Sequence, residues 1–203
     1  MDADLLLPAP VRLADSARGP APPAAVVAVP VPPGQVSSIR DILLSLAASR
    51  AAGGVPVAPG SLAVLILAAD PAAALPLVEA MAREYPFPLR VEPAPGDAAG
   101  SVRRAAAWAE EFGRPRAPVL LAEAGRPVPP RWAHAALAAL RDGADLVAPR
   151  GSALRRLVIG YGPPSALSWR ARLAMEAWLA EGASRGPSPW RQPERSRLVA
   201  VEA

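Results

Sequence analysis

Glu123 is the one acid in the stretch Ala117-Pro-Val-Leu-Leu-Ala-Glu-Ala-Gly-Arg-Pro-Val-Pro-Pro-Arg-Trp132. It follows a short apolar run, Val119 to Ala122, that reads as a buried strand. In open α/β sheets ligands sit at the carboxyl ends of the strands. A carboxylate there can meet a ribose hydroxyl or a weakly held cation, although one carboxylate alone is a poor site for Mg²⁺ or Mn²⁺. It can equally stand as a solvated loop acid. Arg126, three residues on, carries fixed positive charge that suits a phosphate, or else a surface loop.

Other candidates are scattered. Asp70 has the type to hydrogen-bond a base, but Asp70-Pro71 is also the pattern of a helix N-cap followed by a first-turn proline. Arg103 and Arg104 stand near an expected helix start after the Gly-containing loop 93–100, where a diphosphate can bind. The alternative is a solvated helix face. His134 is the only histidine, so a Ser-His-Asp triad would have to use it, and a zinc site lacks partners. Trp132, Trp169 and Trp178 have helical neighbours and read as packing residues, while Trp190, in a proline-rich tail, is better suited to a ligand or a partner protein.

The elements that must position these residues alternate. Ala25 to Pro30 reads as a first strand, followed by the turn Val31-Pro-Pro-Gly-Gln35. Ser37 or Ser38 can cap the next helix, Ser38 with Asp41 at capping-box spacing, and Ile39, Ile42, Leu43, Leu46 and Ala47 recur at helical spacing up to a stop at Gly53-Gly54. Ser61 to Leu67 is the clearest buried strand, and a helix runs from Asp70-Pro71 to about Tyr85, with Pro76 expected to kink or delay its start. Pro88 to Glu92 is a third strand, and Ser101 is expected to open a helix ending at Gly113. The Val119 strand, a helix over 131–141, a strand over 145–148 and one over 156–161 follow. Ser165 is expected to cap a last helix over 166–180, and Arg197 to Val201 to add an edge strand. Such alternation implies a layered α/β sheet with parallel strands.

Composition narrows the function. At 203 residues one ordinary domain with tails is expected. All 22 basic residues are Arg, and the chain lacks Lys, Asn, Thr and Cys, which suggests a G/C-rich coding sequence rather than selection for charge. The arginines form no stripe interleaved with aromatics, so a nucleic-acid partner is not expected. Absence of Cys excludes disulfides and thiolate chemistry. The first residues carry acids where a secretory signal needs positive charge, and the longest apolar run, Leu62 to Ala69, is far short of a membrane span. The expectation is a cytoplasmic protein without a transmembrane segment.

The order and spacing of these pieces resemble the nucleotide-sugar-binding half of family 2 glycosyltransferases over about residues 25 to 150. Val26-Val-Ala-Val-Pro30 and the helix with Leu43 to Leu46 look like that family's first strand and helix. Leu62 to Asp70 looks like its second strand, Gly100 to Ala109 like its alanine-rich helix, and Val119 to Trp132 like the strand delivering its Asp-X-Asp motif. Leu137 to Val147 closes the match.

The resemblance implies a GT-A type (Rossmann-like) three-layer sandwich with a mainly parallel sheet between helices. It assigns a nucleotide-sugar-binding domain to 25–162, whereas by composition alone residues 1–24, rich in Pro and Ala without a period, read as a mostly disordered tail with one short docked piece at Leu5 to Leu7, and 163–203 as a C-terminal helix and irregular tail. The resemblance implies that Pro30, Asp70, Arg103, Arg104, Glu123 and Arg126 contact a nucleotide-diphosphate sugar. Family members hold Mg²⁺ or Mn²⁺ on the last carboxylate of Asp-X-Asp, where it neutralises the leaving diphosphate. Here the aligned triplet is Glu123-Ala124-Gly125, whose last residue offers no ligand, so no metal residue is assigned. Two readings follow: a transferase with inversion at the sugar, or a non-catalytic relative that binds a nucleotide or a partner protein.

Overall fold

The computed structural model describes residues 11–13, 21–149, 166–173 and 198–201. Within them, eight strands form one sheet. They are β1 (Val11–Leu13), β2 (Ala25–Val31), β3 (Leu62–Ala68), β4 (Leu89–Pro93), β5 (Val119–Leu121), β6 (Leu146–Pro149), β7 (Ala166–Leu167) and β8 (Leu198–Val201). Four helices alternate with them: α1 (Ile39–Ala47), α2 (Pro71–Ala82), α3 (Ala98–Glu111) and α4 (Trp132–Arg141). Residues 169–173 are also helical.

The sheet order is β1-β4-β3-β2-β5-β7-β6-β8. Its centre, β4-β3-β2-β5, is parallel, as the alternation of strand and helix requires. β7 lies antiparallel between β5 and β6, and β1 antiparallel against β4. The α/β class with a largely parallel sheet flanked by helices is therefore as expected from sequence.

Helices cover both faces. Val27, Val29, Val64, Ile66 and Leu120 point to one face and pack with residues of α1, α2 and α4, among them Ile42, Leu43, Leu46, Val78, Trp132 and Ala136. Val26, Ala28, Leu65, Leu67, Val119 and Leu121 point to the other, against Val102, Ala105, Trp108 and Ala109 of α3 and Ala171. Strands buried on both faces need no polar alternation, which is why β2 and β3 read as continuous apolar runs. Truncating a fully buried leucine such as Leu43 or Leu65 would cost about 2–5 kcal/mol.

Several local expectations need correction. Ser38 does not cap α1 through its side chain, because a 3-10 turn over Val36–Ser38 already carries it into the helix. Its hydroxyl instead donates to the Gln35 carbonyl at 2.6 Å. Pro76 does not delay α2: Asp70 accepts from the Ala73 N–H at 3.1 Å and starts the helix at Pro71. α3 opens three residues before Ser101, at Ala98, because Asp97 caps it by accepting from the Gly100 N–H. Ala166 and Leu167 are strand rather than helix, since they fill the gap between β5 and β6. The cap moves to Ser168, whose hydroxyl oxygen accepts from the Ala171 N–H at 3.2 Å.

The expected segments also change extent. Residues 11–13, within the stretch read as a tail, are the strand β1. The sheet continues beyond residue 162 through β7 and β8, the latter close to the edge strand expected at 197–201. The strand expected over 156–161 lies outside the described residues, as do Leu5 to Leu7, Trp178 and Trp190.

Candidate functional site

Strand order runs outward from β2 in both directions: to β3 and β4 on one side, to β5 on the other. Doubly wound sheets bind their ligands in a crevice at the carboxyl ends of the strands that flank such a reversal. Here those ends are Pro30–Val31 on β2 and Ala122–Glu123 after β5. Backbone bonds tie them together: the Ala122 N–H donates to the Ala28 carbonyl at 3.0 Å, and the Ala124 N–H reaches the Pro30 carbonyl at 3.5 Å.

Glu123 to Arg126 form a tight turn closed by the Arg126 N–H on the Glu123 carbonyl at 3.2 Å. Its third residue, Gly125, has φ +80°, the left-handed region in which a side chain is disfavoured. A Cβ at Gly125 would stand 3.6 Å from Gln35 Oε1 and 3.8 Å from Ser38 Cβ. Gln35 and Ser38 thus border the crevice, though the sequence reading did not single out Gln35. The only signal for it was a polar residue closing the turn after the first strand.

The turn is fastened from outside. Ser45 Oγ on α1 accepts from the Val128 N–H at 3.1 Å while donating to the Ile42 carbonyl at 2.8 Å. The Arg50 N–H donates to the Pro130 carbonyl at 2.6 Å. Both bonds span tens of residues, so nothing in the local sequence marks Ser45 as a holder of this loop.

No family model matches this chain, and no curated protein matches it.

The expected site residues divide into two groups. Pro30, Glu123 and Arg126 meet at the crevice. Asp70 follows β3 on the same edge, next to Val31, whose carbonyl accepts from the Ala69 N–H at 3.2 Å; the Asp70 carboxylate is occupied as an N-cap. Arg103 and Arg104 lie on α3, which packs on the other face of the sheet. Arg103 is exposed. Arg104 Nη1 contacts Glu92 Oε2 at 3.3 Å. Glu92 also meets Arg90, which makes a two-pronged pair with Glu111 at 2.8 and 2.6 Å and lies 4.8 Å from the Trp108 ring centroid. This network bridges α3 to β4.

Arg126 Nη1 lies 3.2 Å from Glu123 Oε2, with side chains 64% and 52% exposed. An ion pair this open is worth only about 0.2–1 kcal/mol. His134 sits half-buried on α4, and Trp132 is buried in the core, as a packing residue should be. Trp169 lies under two arginines, Arg116 at 5.1 Å and Arg170 at 5.8 Å from its ring centroid.

Two grooves lined by described residues, of about 340 and 290 Å³, lie at the opposite edge, around Ala24, Arg116 and Pro118 at the strands' amino ends. The reversal of strand order at β2 points instead to the carboxyl ends, where doubly wound sheets bind ligands. No three of His, Cys, Asp or Glu gather as a metal site among the described residues. No helix among them is long and apolar enough to cross a membrane.

Proposed function

We propose that this chain is a glycosyltransferase-like protein of family 2 type with a GT-A type fold, and that it binds a nucleotide-diphosphate sugar in the crevice between β2 and β5. The observation that carries this reading is the reversal of strand order at β2, with Pro30 and the Glu123–Arg126 turn joined at the carboxyl ends. Pro30, Asp70, Glu123 and Arg126, four of the six expected contacts, lie at or just after the carboxyl ends of β2, β3 and β5 and support this reading.

The cation such enzymes use does not fit these residues. Gly125 offers no ligand and has a backbone that disfavours one, and the Glu123 carboxylate is engaged by Arg126. No step is therefore routed through a metal. In this reading Arg126 balances diphosphate charge. The resemblance implies a direct displacement: an acceptor hydroxyl attacks the anomeric carbon, the sugar–phosphate oxygen bond breaks, and the nucleoside diphosphate leaves with the electron pair.

The misfit at Gly125 favours a second reading, a non-catalytic relative serving as a nucleotide-binding or protein-interaction module. Calorimetry with UDP and UDP-sugars, followed by an assay for release of UDP, separates the two. Binding with turnover supports the transferase; binding without turnover supports the module. Absence of heat with any nucleotide or nucleotide sugar sinks the nucleotide site in both.

A further inference from the structure

Two arginines among the expected ligand contacts have carboxylate partners, and the two pairs differ in kind. Arg104 holds Glu92 at 3.3 Å, and the Glu92 side chain is only 9% exposed. Withdrawing Arg104 would leave a nearly buried carboxylate with Arg90 alone beside it at 3.4 Å, a change that water cannot compensate there. Arg126 holds Glu123 where water reaches both side chains and can solvate whichever is released. Of the two, Arg126 is the cation free to change partners.

Its surroundings suit that exchange. The main chain carrying Arg126 is held by its own turn and by the Ser45–Val128 and Arg50–Pro130 bonds, so the guanidinium swings from a fixed base. The neighbouring space, where the resemblance implies a metal-binding carboxylate, is bordered by the neutral Gln35 and Ser38 side chains. A planar guanidinium fork matches paired phosphate oxygens and needs no bridging ion.

We propose that Arg126 is the fixed cation of the crevice and Glu123 its internal counterion, which an incoming nucleoside diphosphate displaces without a divalent metal. This rests on the nucleotide-binding reading above and adds the means by which diphosphate charge is met. It also inverts the role of Glu123. A carboxylate that ligates a metal strengthens diphosphate binding, whereas one that occupies the arginine competes with the ligand.

Calorimetry of the full chain with UDP and with GDP, in EDTA and in Mn²⁺, tests the sign. The expected affinity is the same in both media. Glu123→Gln is expected to tighten binding by about two- to fivefold, the equivalent of releasing an exposed pair. Arg126→Ala is expected to weaken it by about tenfold or more, and Arg126→Lys to recover part of that loss. Unchanged melting of each variant shows that the fold is intact. Binding that requires Mn²⁺, that weakens in Glu123→Gln or that ignores Arg126→Ala overturns the counterion role while leaving the nucleotide site standing. No heat with either nucleotide overturns both.

Discussion

The Arg126 guanidinium lies 3.2 Å from the Glu123 carboxylate, across a turn that the Arg126 N–H closes on the Glu123 carbonyl. Side chain and main chain thus link the same two residues, and the turn between them needs a left-handed residue at Gly125. Gly125→Asp, which would place a second carboxylate in the turn, is expected to destabilise the fold by about 1–2 kcal/mol through its positive φ. Crowding adds little, because the new Cβ would meet Gln35 at an ordinary 3.6 Å. Urea melts check this, with Gly125→Asn expected to be milder because Asn tolerates that backbone better.

Ser45→Ala removes the acceptor for the Val128 N–H. A half-buried amide left without a partner costs about 1–3 kcal/mol. Loss of protection at the Val128 amide in hydrogen exchange, with α1 amides unchanged, is the expected outcome. Equal deprotection across α1 would show that the substitution unravels the helix instead.

Asp70 serves α2 as its N-cap. Asp70→Ala is expected to lose about 0.5–2 kcal/mol, and Asp70→Ser to recover most of it, since a hydroxyl oxygen can accept the same bond. If nucleotide binding in the crevice is unchanged in Asp70→Ser, the carboxylate acts on the helix alone; a loss of affinity there would give it a ligand role as well.

Arg90 is buried between Glu92 and Glu111 and faces Trp108. Arg90→Ala leaves Glu92 nearly buried with only Arg104 beside it, and a loss of about 3 kcal/mol is expected by denaturant unfolding. Arg104→Ala should cost less, because that arginine is 46% exposed and Arg90 remains. A larger effect at Arg104 than at Arg90 would reverse the assigned order.

Burial pushes the Tyr85 phenol well above its ordinary value, while its hydroxyl donates to the Leu43 carbonyl at 2.9 Å. The folded state therefore keeps its proton above about pH 10, where the unfolded chain begins to lose it. By linkage, this contribution to stability is complete below that pH and falls as pH rises beyond it. Tyr85→Phe should be less stable at neutral pH yet flatter between about pH 10 and 12. An unchanged alkaline slope would show that Tyr85 is not the group responsible.

The sequence by itself determined which segments form the sheet centre and the helices. Apolar runs such as Leu62 to Ala68 and helical spacing such as Ile39, Ile42, Leu43 and Leu46 are local patterns that burial selects directly. It also marked the ends of β2 and β5, near Pro30 and Ala122, because strands end where apolar runs stop. What it left undecided was long-range. The placement of Ala166–Leu167 as a reversed strand depends on a gap between β5 and β6 that exists only once both are in place. The roles of Arg104 and Arg126 were equivalent on paper, both cations near expected loops. Tertiary structure separated them, because exposure of the partner carboxylate sets how readily an arginine is released. It put Glu92 under α3 and left Glu123 in water.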